Sequence, residues 1–394
     1  MKILIVNKFY YNRGGDCTCT INLEHMLHAN GYETAVYAMD YPENIQTPFS
    51  KYFAKEVSFS GGIKNKLAAA ARIFGGAGVK ASFAKILNEF KPDIVHFNNI
   101  HSYLSPVIVK MAKDFGAKTI WTMHDYKLVC PSYSCLLNGK SCELCIGGDK
   151  KNVLKTRCMK NSLSASLLAY LEAMKWSTDK LEKYTDVYVC PSKFMADKMA
   201  QGGFDKNKIK VVCNFIPDTM INNITVKTER KSYYAYVGRL SQEKGVATLI
   251  KVASQLPHTI KIAGDGPLAA ELKDRYKDCK NIEFLGRLNS SQVAELLSNA
   301  KFSVMPSECY ENNPMGVIES LCFGTPVIGA KIGGIPELLE PSNGMLFRSG
   351  DEKSLNKTID TMWSLEYDYQ QISKDSIERF NSRVYLNKVL DTYK

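Results

Sequence analysis

The sequence predicts two α/β domains, each a parallel sheet covered by helices on both faces. Short buried apolar runs alternate with longer helical patterns, the alternation restarts near residue 233, and small-residue loops follow several of the runs. The 394 residues suffice for two such domains, each large enough to bury a full core.

In the first half, residues 2–7 read as a buried strand, followed by Gly14-Gly15 and a helix over about 21–29. Gly31 ends that helix, and residues 33–38 form the next strand. Further strands are expected at 94–97, 118–123 and 186–190. In the second half, strands are expected at 234–237, 258–263, 281–285, 302–306 and 326–329, with helices at 246–255 and 267–277 between them. Residues 214–232 carry Pro217, several asparagines and alternating charges with little apolar periodicity, which reads as a linker. This places the domains at 1–213 and 233–374. Residues 375–394 form a last helix, with Ile377, Phe380, Val384, Leu386, Val389 and Leu390 at helical spacing.

Charge is unevenly placed. Residues 1–215 hold 29 Lys/Arg and 18 Asp/Glu, whereas 216–394 hold 22 of each, so the whole net charge of +11 lies in the first half. That excess points to an anionic partner of the first half. Nucleic acid is excluded as the weakest fit, because no basic block is interleaved with aromatics. Within 51–91 there are eight Lys/Arg against two Glu, and residues 64–74 read as a basic amphipathic helix suited to an anionic membrane surface. The alternative is a helix packed on its own domain with its lysines in water. No apolar run reaches the roughly 18 residues that a membrane span needs. The first strand is too short for a signal peptide, so a cytoplasmic protein is expected, peripheral on the inner face of the membrane if the basic helix binds lipid.

The chemistry concentrates in the second half. After the strand at 302–306 comes Pro306-Ser-Glu-Cys-Tyr-Glu-Asn-Asn-Pro-Met-Gly-Val-Ile-Glu319, with a helix expected to begin near Pro314. Glu311 then lies in the loop, suited to accept hydrogen bonds from sugar hydroxyls. Glu319 lies inside the helix, suited to the two hydroxyls of a ribose. The backbone around Asn313, Met315 and Gly316 offers N–H groups to a phosphate or sugar oxygen. After the strand at 234–237, Gly238-Arg-Leu-Ser-Gln-Glu-Lys-Gly245 places Gly238 at a tight turn and lets Arg239 and Lys244 converge on a diphosphate. Gly333-Gly334 makes a third small-residue loop at the same predicted edge. In the first half, His124 stands at the end of a predicted strand.

Five cysteines cluster at Cys130, Cys135, Cys142, Cys145 and Cys158. The Cys-x2-Cys step at Cys142 and Cys145 resembles half of a zinc knuckle, so a structural zinc on Cys130, Cys142, Cys145 and Cys158 is expected, with Cys135 able to replace Cys130. The alternative is a metal-free loop of reduced thiols.

Taken together these motifs resemble glycosyltransferase family 4 (group 1), whose members have the GT-B fold: two Rossmann-like domains with parallel sheets facing a central cleft. The resemblance rests on Gly-Arg-Leu-x3-Lys-Gly at 238–245, Gly264-Asp-Gly-Pro267, Glu311-x7-Glu319, Gly324-Thr-Pro-Val and Gly333-Gly-Ile-Pro-Glu337, with Gly14-Gly15 and His124-Asp125 in the first half. It implies that Arg239 and Lys244 hold the donor diphosphate, that Glu319 binds ribose and Glu311 sugar hydroxyls, that Gly14 and Gly15 approach the donor phosphate, and that His124 lies near the transferred sugar. It also implies that the last helix crosses back to the first domain. The implied function is retaining transfer from a UDP- or GDP-sugar to a glycan or lipid-linked acceptor in cell-surface polysaccharide synthesis, with no cofactor for catalysis. The chain has no Asp-x-Asp metal triplet, in keeping with that. The alternative from another class is a non-catalytic nucleotide-sugar-binding regulatory subunit.

Overall fold

A computed structural model of the chain describes residues 1–59 and 62–394; Ser60 and Gly61, inside the basic stretch 51–91, lie outside the described residues. The chain divides into two compact units. The first comprises Met1–Cys135, Cys142–Cys213 and Tyr385–Lys394, and the second Leu136–Ser141 and Asn214–Val384.

The first unit is built on strands β1 (Lys2–Val6), β2 (Glu33–Tyr37), β3 (Ile94–Phe97) and β4 (Lys118–Thr122). A small antiparallel hairpin, β5 (Leu136–Leu137) and β6 (Lys140–Ser141), precedes β7 (Val187–Cys190) and β8 (Ile209–Val211). The sheet runs β2-β1-β3-β4-β7-β8, all parallel. Ile3, Leu4, Ile5 and Val6 are fully buried, which is why β1 reads as an unbroken apolar run rather than an alternating one.

The second unit repeats the plan with β9 (Tyr234–Val237), β10 (Ile260–Ala263), β11 (Ile282–Gly286), β12 (Ser303–Met305), β13 (Val327–Ala330) and β14 (Gly344–Phe347). Its parallel order is β11-β10-β9-β12-β13-β14. In each sheet the strand order reverses beside the first strand, between β1 and β3 and between β9 and β12. Loops leaving the C-terminal ends of those neighbours diverge, and the gap between them is where open α/β sheets take ligands.

Three expectations shift. The first helix begins at Gly15 rather than near residue 21, so the glycine pair opens the helix instead of preceding it by a loop. Residues 214–232 group with the second unit. Lys231 N–H donates to the Asn299 carbonyl at 2.8 Å, and the half-buried Arg230 guanidinium donates to the carbonyls of Ser298 (2.6 Å) and Gly324 (3.1 Å) and to Thr325 Oγ1 (2.9 Å). The polar segment that reads as linker is thus tied to the second unit by these hydrogen bonds, while most of its polar side chains remain in water. The last helix is two helices, Tyr369–Phe380 and Ser382–Tyr393, divided at extended Asn381. The Asn381 side-chain oxygen accepts from Val384 N–H at 2.9 Å and so starts the second of them.

Residues Tyr385–Lys394 belong to the first unit. Tyr393 Oη lies 2.7 Å from Nδ1 of fully buried His96, whose Nε2 lies 2.7 Å from Thr122 Oγ1. Burial pushes the His96 imidazole down to about 3, so it is neutral and both ring nitrogens need a neutral partner. Tyr393→Phe strands one of them. We expect a loss of roughly 1–3 kcal/mol in urea unfolding; an unchanged midpoint would show that this contact does not anchor the C-terminus.

Candidate functional site

In the second unit the loops after β9 and β10 touch backbone to backbone, and glycine makes that approach feasible. Gly238 N–H donates to the Ala263 carbonyl and Leu240 N–H to Asp265, at 3.0 and 2.9 Å. A Cβ on Gly264, whose φ is +140°, would sit 1.8 Å from the Gly238 carbonyl oxygen, and one on Gly266 would sit 2.4 Å from that of Leu240. Tyr236 Oη lies under Gly238 and donates to the Arg239 carbonyl at 2.9 Å. These loops border a cavity of about 430 Å³ lined by Gly238, Arg239, Asp265, Gly266, Arg287 and Leu288. Arg239 is exposed there, beside Arg287, which the sequence reading did not single out.

The Gln242–Lys244 turn carries Lys244 to Glu311: Nζ and Oε1 are 2.6 Å apart. Ser307 Oγ donates to the same carboxylate oxygen at 2.7 Å. Burial lowers the Lys244 pKa, but the Glu311 carboxylate outweighs it and raises the pKa above the ordinary lysine value. Two glycines fix the geometry. Gly245 has φ +66°, and a Cβ there would meet the Pro306 carbonyl oxygen at 2.0 Å. Gly333 has φ +59° and lies against the Glu311 backbone, where a Cβ would stand 2.2 Å from the Glu311 carbonyl oxygen; the next residue, Gly334, donates its N–H to that oxygen at 2.8 Å.

The helix Met315–Cys322 follows Pro314. Asn313 is buried, with Asn214 N–H donating to its Oδ1 (2.9 Å) and Asn214 Nδ2 to its carbonyl (2.8 Å). Gly316 packs on Met305, leaving 3.1 Å between an added Cβ and the methyl carbon. Glu319 is mostly buried, and no side chain among the described residues pairs with it. Burial pushes its carboxyl up to about 7.

In the first unit, Gly14 is the extended N-cap of helix Gly15–Ala29, and an added Cβ on Gly15 would meet nothing within 4 Å. His124 Nε2 lies 2.9 Å from Asn98 Oδ1. Burial lowers the imidazole pKa, which Asp16 and Asp125 partly offset, so His124 is neutral with Nε2–H donating to Asn98. Asp16, not anticipated, accepts from Asn99 Nδ2 at 2.9 Å; burial raises its pKa, but the Lys8 charge and the hydrogen bonds from Asn99 and the Cys17 backbone N–H favour the carboxylate and keep the pKa below the ordinary carboxylate value. A signal was present: Lys8, Asn98-Asn99 and His124 all stand just past strands β1, β3 and β4.

The first unit also holds a cavity of about 620 Å³ that the sequence reading missed. Its floor is an ion pair between Lys127 Nζ and Glu172 Oε2 at 2.9 Å, both side chains nearly sealed from water. Glu172 also accepts from Ser102 N–H and Oγ, and His101 stacks on Trp121 at 5.1 Å. Lys8, Lys66 and Lys160 line the walls.

The expected zinc set of Cys130, Cys142, Cys145 and Cys158 is not gathered around a point. Among the described residues no group of three or more His, Cys, Asp or Glu is placed to hold a metal ion. All five are free thiols, and Cys130 Sγ lies instead 3.2 Å from Ser132 Oγ. The segment is pinned by other means: Lys150 Nζ donates to the carbonyls of Val129 and Cys145 at 2.8 and 2.6 Å, and Cys142 N–H donates to Cys135.

Two Rossmann-like units, each with its polar groups at the strand-order reversal, define a GT-B protein. The match to family models specifies it further: "Glycosyltransferase Family 4" covers residues 13–219 and "Glycosyl transferases group 1" covers 219–379. The chain belongs to glycosyltransferase family 4. An uncharacterized 42.6 kDa protein from the cps region of Klebsiella pneumoniae is 30% identical over 66% of this chain and 63% of its own length. The O-antigen biosynthesis glycosyltransferase WbnH of Escherichia coli is 28% identical over 54% of this chain and 61% of its own. The matches thus span less than two thirds of these curated relatives. Among solved structures, the apo lipopolysaccharide outer core galactosyltransferase WaaB aligns over 100% of this chain and 99% of its own at TM-score 0.67 and 18% identity. Anabaena HepE in complex with UDP and glucose aligns over 100% and 99% at TM-score 0.63 and 17% identity.

The unpaired Glu319 gives a pH-dependent test. Its folded pKa near 7 lies above the ordinary 4.5, so its full contribution to stability is present below pH 4.5 and is lost as pH rises through 7. Glu319→Gln should match wild type near pH 4.5 and exceed it by on the order of 1–3 kcal/mol near pH 8 in urea unfolding. A difference that does not change with pH would contradict the burial of this carboxyl.

Proposed function

We propose that this chain is a retaining glycosyltransferase that moves a sugar from a UDP- or GDP-sugar to a glycan or lipid-linked acceptor in cell-surface polysaccharide synthesis. The observation that carries the reading is the Lys244–Glu311 pair at the β9–β12 reversal, at 2.6 Å, with unpartnered Glu319 in the helix that follows. A ribose supplies the two hydroxyl donors that Glu319 lacks. The free second oxygen of Glu311 is an acceptor for sugar hydroxyls. Arg239, exposed in its glycine-walled cavity, and Lys244 take up the charge that develops on the departing diphosphate, so no metal is assigned to catalysis. Support for the donor class comes from HepE, solved with UDP and glucose, and for the pathway from WbnH, an O-antigen glycosyltransferase.

Retention by double displacement would need a carboxylate nucleophile. Glu311 is already engaged by Lys244 and Ser307, and Glu319 is assigned to ribose. We therefore assign a same-face displacement: the bond from anomeric carbon to phosphate oxygen breaks, the bond to the acceptor oxygen forms on that face, and the acceptor proton passes to the leaving phosphate. The protein contributes orientation and electrostatic stabilisation. Gly14, Gly15 and neutral His124 are assigned to the donor phosphate and the transferred sugar, and the lysine-lined cavity of the first unit to the acceptor.

Release of nucleoside diphosphate from a panel of nucleotide sugars tests the assignment. Lys244→Ala and Arg239→Ala should each lower kcat by about a hundredfold or more with the fold intact by circular dichroism. Turnover unaffected by both substitutions would remove the mechanism.

A further inference from the structure

The helix Leu163–Lys175 has its polarity reversed. Leu163, Leu167, Leu171 and Met174, spaced as one stripe along a helix, are 43% to 54% exposed, while Ser166, Ala169 and Glu172 face inward and are buried. Scattered exposed leucines need no explanation, but a continuous outward stripe over a polar inner face does. The inner face is accounted for: Glu172 closes the buried pair with Lys127.

A second helix, Ile63–Ile73, borders the same cavity and continues the pattern. It packs through Ala69, Arg72 and Ile73, while Ile63 and Leu67 are 78% and 65% exposed beside exposed Lys64 and Lys66. The two helices are tied together, since Trp176 Nε1 donates to the Ile73 carbonyl at 2.9 Å. Lys66 and Ile73 of one, and Ala165, Leu168 and Glu172 of the other, line the cavity.

We propose that these two helices seat the first unit on an anionic lipid bilayer, placing the cavity they border at the headgroup layer. Charge decides the occupant. Neither helix carries an exposed carboxylate: Ile63–Ile73 has no acidic residue, and the only one on Leu163–Lys175 is buried Glu172. Lys64 and Lys66 lie on the first helix, Lys160 precedes the second and Lys175 ends it, and all four are exposed. A second copy of the same face would bring like charges together as the apolar stripes met. An anionic bilayer satisfies both parts: aliphatic side chains enter the acyl boundary while lysines snorkel to the headgroups. The inference bears on how a lipid-linked acceptor reaches the cavity, but its test needs neither donor nor acceptor. It can therefore fail while the proposed sugar transfer stands.

Flotation with phosphatidylcholine vesicles, with and without about a third phosphatidylglycerol, tests it at low and high salt. Wild type should float with the anionic vesicles, less at high salt and little with the neutral ones. The variant Leu163→Gln, Leu167→Gln, Leu171→Gln, Met174→Gln should lose at least roughly tenfold in partition at an unchanged thermal midpoint. Leu167→Glu alone should weaken partition in the same direction and serves if the fourfold variant misfolds. Wild type remaining unbound at low salt, or variants floating as well as wild type, would overturn the proposal. So would a wild-type dimer in light scattering that the same substitutions dissociate, since the stripe would then belong to a second copy.

Discussion

The second unit depends on backbone contacts that only glycine permits among the loops leaving the C-terminal ends of its strands. The Gly264 segment lies against the Gly238 carbonyl, Gly245 against that of Pro306, and Gly333 against the backbone of Glu311. A side chain at any of these positions would meet main-chain atoms, which cannot swing aside, and would push the loops apart. Lys244 follows β9 and Glu311 follows β12, so their ion pair exists only while those loops stay in contact. The glycines therefore position charged groups that they do not themselves touch.

Around that frame the two glutamates are treated in opposite ways. Glu311 is held by an ammonium and a hydroxyl, both on the same carboxylate oxygen. Glu319 is mostly buried with no side-chain partner among the described residues, so its charge is disfavoured until a ligand supplies donors. An unpaired buried carboxyl is costly for a resting protein and useful to a binding site, because the stabilisation lost on folding is recovered when hydroxyl groups arrive. The first unit instead satisfies its polar groups internally at the corresponding reversal, with Asp16 on Asn99 and His124 on Asn98. Its open volume adjoins that reversal through Lys8, Asn99 and Asp125 and extends over the Lys127–Glu172 pair.

Much of this is legible in the sequence because parallel strands buried on both faces write themselves as apolar runs. β1, β3, β9 and β10 stand out for that reason. β8 (Ile209-Lys-Val211) and β14 (Gly344-Met-Leu-Phe347) lie at sheet edges, short and partly exposed, and carry too little apolar periodicity to separate from loop. The motif residues of the second unit were legible because local spacing fixes which loop each one joins. Asp16, Lys127 and Glu172 were not, since their roles come from partners tens of residues away. Helix Leu163–Lys175 defeats periodicity more thoroughly: its apolar stripe is real, but it faces outward, and a sequence pattern does not say which face is buried. The cysteine spacing likewise suggested a tetrahedral ligand set, whereas the folded segment places Cys130 against Ser132 and pins its loops with Lys150.

The account turns on a single nucleotide site assembled by the loops after β9 and β12. A crystal structure of the protein soaked with UDP or GDP examines it directly. The account predicts diphosphate oxygens within hydrogen-bond reach of Arg239 and Lys244, and both ribose hydroxyls on the Glu319 carboxylate. Nucleotide bound elsewhere, with Glu319 still unpartnered, would contradict it.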